Sequence, residues 1–233
     1  LHHTSGLPEY MSFKDVKTKD PKFASNEDHI PQFALQRELF PQSFAPGEKF
    51  LYINSNYLLL ASIIERLSKK SYGAFLRDEI FKPLKMSDSW VYEKPGLTPR
   101  HPRLGYQNAI GYEKQEKGGF KEEWASPPFR DEHLLTTGDG AVWTSLRDMA
   151  KWDAAIRTGK FLKPNTWEAA RKPSTTRDGM TNNYGYGWSL RFDDRGKLKG
   201  YGHNGSWGGF RTSYQRDTTR DRTIILLSNR SDF

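Results

Sequence analysis

The order of the predicted elements is the feature that most constrains how this chain can fold. Helical patterns dominate up to about residue 180, and about fifty residues at the end hold short strand-like runs separated by turns. The runs are residues 186–192, 197–203, 209–216 and 222–229. Helices followed by an antiparallel meander are typical of an α+β fold with helices packed on a sheet. The apolar composition of residues 223–227 predicts a buried central strand.

Two helical patterns stand in the first third of the chain. Apolar residues cover more than half of the circumference of a helix over residues 55–69, which predicts a buried helix. Ser71 is the expected N-cap of a second helix, which Pro83 ends. Residues 1–50 are rich in loops, and we expect residues 92–135 to form a long irregular excursion over the surface.

A further helix is predicted in the middle of the chain. Ser145 and Asp148 fit a capping box at its start, and Gly159 is the expected stop signal. Asn165 is the expected cap of a short helix over residues 166–171. These helices complete the part of the chain that precedes the meander.

Composition excludes several classes of protein. Aromatic residues make up 14% of the 233 residues, which favours a globular domain over a disordered chain. No apolar run is long enough to span a bilayer. The absence of cysteine excludes disulfides, cysteine-ligated zinc and a thiol nucleophile. The net charge of +8 is spread along the chain, so we expect no nucleic-acid partner.

Two polar residues just before the first predicted helix are candidate site residues. Tyr52 and Asn54 are two positions apart in an extended segment, so their side chains point the same way and can line one cleft. Taken alone, the pattern is more typical of a packed tyrosine beside an asparagine that caps the helix.

A glycine-rich stretch near the end of the chain is the second candidate. Residues 202–210 read GHNGSWGGF, which we place at the end of a strand and at the start of a connection. Glycines let a backbone or a substrate approach closely. Taken alone, the stretch is more typical of a tight hairpin that exposes His203.

Two adjacent histidines near the start of the chain raise the question of a metal site. His2 and His3 point to opposite sides of an extended chain, and no acidic partner follows at ligand spacing. We therefore expect no metal and no other cofactor.

Five blocks of sequence stand in an order that is seen in one known family. They are HHTSGLPEY (2–10), PGEKFLYINSNYLLLASIIERLSKKSY (46–72), IFKPLKM (80–86), TTGDGAVWTSLRDMAKWDAAI (136–156) and GHNGSWGGFRT (202–212). Together they resemble serine beta-lactamase-like proteins, which include class C beta-lactamases, D-alanyl-D-alanine carboxypeptidases and related esterases and peptidases. The resemblance implies a beta-lactamase/transpeptidase-like α+β fold, in which helices flank an antiparallel sheet beside a mainly helical lobe.

The resemblance also implies roles for five residues. The family takes its nucleophile from a Ser-x-x-Lys motif, and a Tyr-x-Asn and a His-x-Gly or Lys-Thr-Gly motif complete the site. Carried over, Tyr52 is the general base, Asn54 the substrate-orienting amide and His203 the third-motif residue. Gly205 completes that third motif, and the backbone N–H of Ser206 belongs to the oxyanion hole.

The chain departs from the family at the nucleophile. No serine is followed three residues later by lysine. We therefore expect residues 1–233 to form part of one domain, with a helical and loop lobe over about 1–180 and a sheet portion over about 181–233. The N-terminal strands, the nucleophile helix and the C-terminal helix of the family are expected to be absent from this chain. We also expect the chain alone to be inactive and poorly folded.

Three functions stay open at this point. The first is a serine hydrolase that forms an acyl-enzyme with an amide, beta-lactam or ester, in a small-molecule or peptide substrate. The second is a non-catalytic relative that binds peptide or peptidoglycan. The third, outside the family, is a carbohydrate- or nucleic-acid-binding module whose tryptophans stack on the ligand, against the ordinary alternative of core packing. Those tryptophans are Trp143, Trp152, Trp188 and Trp207. The compartment and the oligomeric state stay open, although family members are often exported.

Overall fold

The structure is a computed structural model that describes residues 1–19, 23–93, 109–122, 135–159 and 161–232. Helices occupy the earlier part of these ranges, and the longest strands follow them. No helix within them combines the length and apolar character that a bilayer-spanning segment requires.

Six α-helices are formed in this described part of the chain. They are α1 (Asn26–His29), α2 (Gln32–Leu35), α3 (Ser55–Ser68), α4 (Tyr72–Leu76), α5 (Leu146–Thr158) and α6 (Pro164–Ala170). A 3-10 turn at Tyr10–Ser12 precedes them, and a single π-helical turn at Arg77–Phe81 extends α4. Short helices and loops before α3 agree with the predicted loop-rich start.

The first two predicted helices are confirmed as α3 and α4. Ser71 caps α4, because its Oγ accepts a hydrogen bond from the N–H of Ala74 at 3.2 Å. The prediction that α3 is buried is only half right. Leu58 is fully buried, whereas Ile63 and Leu67 are 52% and 80% exposed. The number of apolar residues around a helix shows how much of its surface can be buried. In the described part of the chain, other residues cover only one side of α3.

Helix α5 begins at its predicted cap, with half of the predicted capping box. Ser145 Oγ accepts from the N–H of Asp148 at 3.2 Å, and Gly159 ends the helix with φ 63°. The return bond is not formed among the described residues. Instead, the fully buried Asp148 carboxylate accepts from the N–H of Asp88 at 2.7 Å and the hydroxyl of Ser89 at 2.9 Å. The hydrogen bonds of Asp148 with Asp88 and Ser89 thus take the place of the return bond that the capping box predicts.

The cap predicted for the last helix is wrong by two residues. Helix α6 starts at Pro164 with Lys163 as its N-cap residue, so Asn165 lies inside the first turn. Proline is favoured at the first helical position, because its fixed φ suits the helix and its missing N–H would have no partner there.

Three short ladders precede the main sheet. They pair β1 (Trp90–Val91) with β4 (Val142–Trp143), β2 (Tyr112–Lys114) with β3 (Phe120–Glu122), and β5 (Ser174–Thr175) with β6 (Thr181–Asn182). The β2–β3 hairpin lies inside the segment predicted to be irregular, so that prediction is wrong over residues 112–122. Most of the remaining segment, 94–108 and 123–134, lies outside the described residues.

The predicted meander is confirmed as a four-stranded antiparallel sheet. Its strands are β7 (Ser189–Phe192), β8 (Leu198–Trp207), β9 (Phe210–Asp217) and β10 (Arg222–Ser228), in the spatial order β10-β9-β8-β7. The prediction of a buried central strand at 223–227 does not hold within the described residues, where β10 lies at an edge of this sheet. Ile225 packs toward the core, whereas Ile224 is 61% exposed. Alternate side chains of a strand face opposite sides, and composition does not tell which sides are covered.

The largest core cluster joins α5 and α6 to the sheet. Its buried members are Ile156, Trp167, Ala170, Leu190, Tyr201 and Tyr214. Trp152 and Trp188 pack against this cluster. For these two of the four tryptophans considered above, core packing is therefore the right interpretation.

Candidate active site

A cavity of about 1330 Å³ lies between the start of α3 and the β8–β9 hairpin. All five residues proposed from the sequence line it: Tyr52, Asn54, His203, Gly205 and Ser206. The ring centroids of Tyr52 and His203 are 6.0 Å apart, with the rings tilted by 34°. The fold therefore brings together two motifs that are far apart in the sequence.

The two histidines at the start of the chain lie beside the site, and His3 packs directly against Tyr52. The His3 ring lies 4.2 Å from the Tyr52 ring between centroids, and its Nδ1 accepts from the N–H of Ile53 at 3.2 Å. Burial lowers the pKa of His3 to about 4, so the ring stays a neutral acceptor at pH 7. His2 Nδ1 donates to the carbonyl oxygen of Tyr184 at 2.8 Å. Within the described ranges, no group of three His, Cys, Asp or Glu side chains is arranged to hold a metal.

Asn54 occupies the N-cap position of α3, but its side chain makes no capping hydrogen bond. Glu9 provides an acceptor at this helix end, because its Oε2 accepts from the N–H of Asn54 at 2.8 Å. Ser55 Oγ donates to the carbonyl oxygen of Pro8 at 2.7 Å and fixes the same junction. The helix-cap interpretation of Asn54 is thus right for its position and wrong for its side chain, which lines the cavity.

His203 lies within β8, and both of its ring nitrogens have partners. Nδ1 lies 2.6 Å from the carbonyl oxygen of Asn204, and Nε2 lies 2.9 Å from the hydroxyl of Tyr184. A carbonyl oxygen only accepts, so we assign the proton to Nδ1 and let Nε2 accept from Tyr184. Burial raises the pKa of Tyr184, which keeps that phenol a donor. His203 therefore meets Tyr52 by ring packing, with its N–H directed to Asn204.

The glycine-rich stretch lies at the end of a strand, as predicted, and the connection that follows is the tight hairpin of the alternative interpretation. Strand β8 continues through Trp207, and the turn Gly208–Gly209 has φ of 53° and 79°. Positive φ at both positions is what a two-residue type I′ hairpin requires. A Cβ on Gly205 would lie 2.4 Å from Oγ1 of its cross-strand partner Thr212. The Thr212 hydroxyl occupies the space that a side chain at this position would need, and Ser206 follows on the cavity wall.

Two carboxylates beside Tyr52 were missed by the sequence analysis. Asp139 lines the cavity, and its Oδ2 accepts from the hydroxyl of the fully buried Tyr10 at 2.8 Å. Burial raises the pKa of Tyr52, and the charges of Asp139 and Glu9 raise it further. Burial also raises the pKa of Asp139. A phenol in this setting needs a nearby cation before it can act as a base. The only sequence signal for these acids was their place within the HHTSGLPEY and TTGDG segments.

Another wall of the cavity is aromatic. Trp90 and Trp143 are cross-strand partners in the β1–β4 ladder, and their rings stack 6.0 Å apart at 15°. The Phe210 ring lies 5.2 Å from that of Trp143 at 82°. Trp207 pairs with Phe210 across the β8–β9 ladder and also lines the cavity. We call Trp90, Trp143, Trp207 and Phe210 the aromatic wall. Trp143 and Trp207 therefore face a site, unlike Trp152 and Trp188.

An antiparallel sheet flanked by helices, with a cavity between sheet and helices, is the architecture of beta-lactamase/transpeptidase-like proteins. Comparison with known proteins agrees, because the model of the Beta-lactamase family matches residues 1–233. This chain belongs to the Beta-lactamase family.

Individual relatives support the same assignment. The chain is 32% identical over 236 residues to penicillin-binding protein 4* of Bacillus subtilis (strain 168), across 100% of this chain and 51% of that protein. It is 29% identical over 228 residues to a D-aminopeptidase of Brucella ovis, across 97% of this chain and 40% of that protein. The chain thus spans about half the length of these relatives or less. The crystal structure of a penicillin binding protein from Bacillus halodurans matches with a TM-score of 0.73 at 23% identity, over 99% of this chain and 66% of that one. The predicted fold class is confirmed.

Proposed function

We propose that this chain carries part of the active site of a serine hydrolase that cleaves amides through an acyl-enzyme. The observation that carries the proposal is the approach of Tyr52 and His203 across one cavity, 6.0 Å apart between ring centroids. Membership of a family of serine hydrolases supports it, and so does the D-aminopeptidase among the relatives. Amino-acid amides and short peptides are therefore the first substrates to test, followed by esters and beta-lactams.

Tyr52 is the general base in this proposal. A serine hydroxyl is a poor nucleophile until a base takes its proton, and an ordinary tyrosine has a pKa of about 10. Burial and the charges of Asp139 and Glu9 raise the pKa of Tyr52 further. An ammonium group beside the phenol would oppose that effect. We infer that a Ser-x-x-Lys segment, which the 233 residues do not contain, brings both the nucleophile and this ammonium.

The other residues position the substrate and stabilise charge. The Asn54 amide orients the scissile group, and the backbone N–H of Ser206 donates to the developing oxyanion. Removing one oxyanion donor typically costs about 3–4 kcal/mol of barrier. His203 packs against the Tyr52 ring, and its hydrogen bond with Tyr184 fixes its orientation. The Glu9 carboxylate accepts a hydrogen bond from the backbone N–H of Asn54 and so fixes the position of this residue.

The test begins with the reading frame that encodes this chain. The protein expressed from it should contain a Ser-x-x-Lys segment and should hydrolyse at least one of D-alanine amide, a nitrophenyl ester and a cephalosporin. Tyr52→Phe should lower kcat/KM by at least about a hundredfold, because general base catalysis contributes about 10²–10⁴. Tyr112→Phe removes a hydroxyl from the β2–β3 hairpin and is the matched control.

Two outcomes would reject this proposal. One is a reading frame without the serine motif. The other is a wild-type protein that binds these ligands without turnover, which would favour the non-catalytic relative. Equal activity of Tyr52→Phe and wild type would reject the role of Tyr52 alone.

A further inference from the structure

The backbone brings the four rings of the aromatic wall together from distant parts of the chain. Trp90 and Trp143 are directly opposed in an antiparallel ladder, so their side chains share one face. Trp207 and Phe210 are the last pair before the Gly208–Gly209 turn. Two separate ladders therefore present their aromatic pairs to the cavity that Tyr52 and His203 also line.

The aromatic wall faces a large cavity and keeps part of its surface exposed. Trp207 remains 38% exposed, and the cavity of about 1330 Å³ exceeds the space that a small amide group needs. Ligand pockets are lined mainly by apolar and aromatic side chains with a few polar groups that orient the ligand. Here the polar groups gather around Tyr52, Asn54 and His203.

We propose that the aromatic wall is a specificity subsite that takes a planar apolar group of the substrate, such as a phenyl ring. The proposal rests on the hydrolase function proposed above and adds a substrate class to it. The phenyl group joins the existing edge-to-face cluster while the scissile amide lies near Tyr52.

The ring geometry favours a planar apolar group over a sugar. Carbohydrates stack on an open ring face, but Trp90 lies in an offset stack beside Trp143, and Phe210 stands at 82° to the Trp143 ring. Aromatic rings prefer such offset and edge-to-face neighbours at centroid distances of about 4.5–7 Å. A further aromatic ring therefore extends this arrangement with the same contacts that already build it.

The test compares substrates that differ by one ring. In one pair, phenylalanine amide is compared with alanine amide of the same configuration, which places the ring on the acyl side. In the other, alanine benzylamide is compared with alanine methylamide, which places the ring on the leaving side and keeps an alkylamine as the leaving group. The variants are Trp207→Leu and Phe210→Leu. Phe120→Leu is the matched control, because Phe120 is an exposed aromatic on β3 outside the cavity lining.

Wild type should prefer the ring-bearing member of at least one pair in kcat/KM. Both subsite variants should reduce that preference by about tenfold, because they lower the rate on the ring-bearing member more than the rate on the ring-free one. The control variant Phe120→Leu should keep the wild-type preference. An unchanged preference in both pairs overturns the proposal. So does an equal loss on both members by Trp207→Leu, whose side chain is partly exposed, because that reports a damaged hairpin and not a subsite.

A binding measurement separates this inference from the proposed hydrolysis. If no substrate is turned over, calorimetry on the same protein compares phenylacetamide with acetamide. Phenylacetamide should bind at least about tenfold more tightly, and Trp207→Leu should remove the difference. Equal binding of the two amides, or binding of N-acetylglucosamine without binding of phenylacetamide, overturns the subsite whatever the fate of the catalytic proposal.

Discussion

The two sides of the cavity are built by different means. On the Tyr52 side, side chains from distant segments hold the backbone, with His3 accepting from Ile53 and Glu9 accepting from Asn54. On the His203 side, β8 is paired along its length with β9 and over part of it with β7. The first side depends on individual buried polar groups, whereas the second depends on a repeated backbone ladder. Single substitutions should therefore affect the two sides unequally.

Each side contains a buried tyrosine that donates a hydrogen bond to an aspartate. The effect of removing each hydroxyl on the free energy of unfolding can therefore be compared between the two sides. On the Tyr52 side, Asp139 accepts from Tyr10 at 2.8 Å. On the sheet side, Asp153 accepts from Tyr214 at 2.7 Å, from Thr223 at 2.7 Å and from Arg157 at 3.0 Å. The side chain of Asp153 thus has two further donors, one of them cationic. Asp139 has backbone N–H groups of residues 139 and 140 beside it, but within the described ranges the Tyr10 phenol is its one side-chain donor.

The largest expected effect comes from removing that phenol. Tyr10→Phe should lower the free energy of unfolding by about 3 kcal/mol, because a buried carboxylate loses its side-chain donor. Tyr214→Phe, the same substitution on the sheet side, should cost only about 1 kcal/mol. Urea unfolding of both variants at pH 7 measures the difference. Equal costs would remove the proposed contrast between the two sides.

A substitution at Gly205 tests the stability of the β8–β9 ladder on the His203 side. Gly205→Ala should cost about 2 kcal/mol, because its Cβ would lie 2.4 Å from Thr212 Oγ1. Gly140→Ala is the control within the same cavity, since no atom lies within 4 Å of the added Cβ. Adding Thr212→Ala removes the clashing oxygen, so the double variant should regain most of the lost stability. Thermal unfolding of the single and double variants measures this recovery. Failure of that rescue would mean that the ladder tolerates no side chain at this position for another reason.

The sequence predicted the repetitive parts of this molecule well. The bounds of α3 and α5 follow from apolar periodicity and from the signals at Ser145 and Gly159, and the meander follows from its turns. Tyr52 and Asn54 were placed on one side correctly, because alternation in an extended segment is a local property. The family resemblance, and not any local pattern, connected them with His203.

What the sequence did not predict depends on partners that are distant along the chain. Glu9 and Asp139 look like ordinary surface acids until the fold brings Asn54 and Tyr10 to them. Asp148 left its predicted local bond for the same reason, because Asp88 and Ser89 lie beside it only in the folded chain. Periodicity shows which face of an element is apolar, but it does not show what covers that face.

The smallest predicted effect is a dependence of stability on pH that arises from His3 on the Tyr52 side. Burial lowers the pKa of His3 to about 4, against about 6.5 in an unfolded chain, so the unfolded state binds the proton first. The stabilisation is therefore complete above about pH 6.5 and is lost as the pH falls toward 4, with a cost on the order of 1 kcal/mol. His3→Gln should flatten this dependence, and His2→Gln is the neighbouring control.

Hydrogen exchange then locates the loss. The N–H of Ile53 donates to His3 Nδ1, and a protonated ring has no lone pair there to accept it. Its protection should fall between pH 7 and pH 4.5 after correction for the intrinsic exchange rate, while that of Tyr214 in the β8–β9 ladder should change much less. A parallel fall at both amides would mean that the molecule loosens as a whole, and that its side-chain-held and ladder-held sides are one cooperative unit.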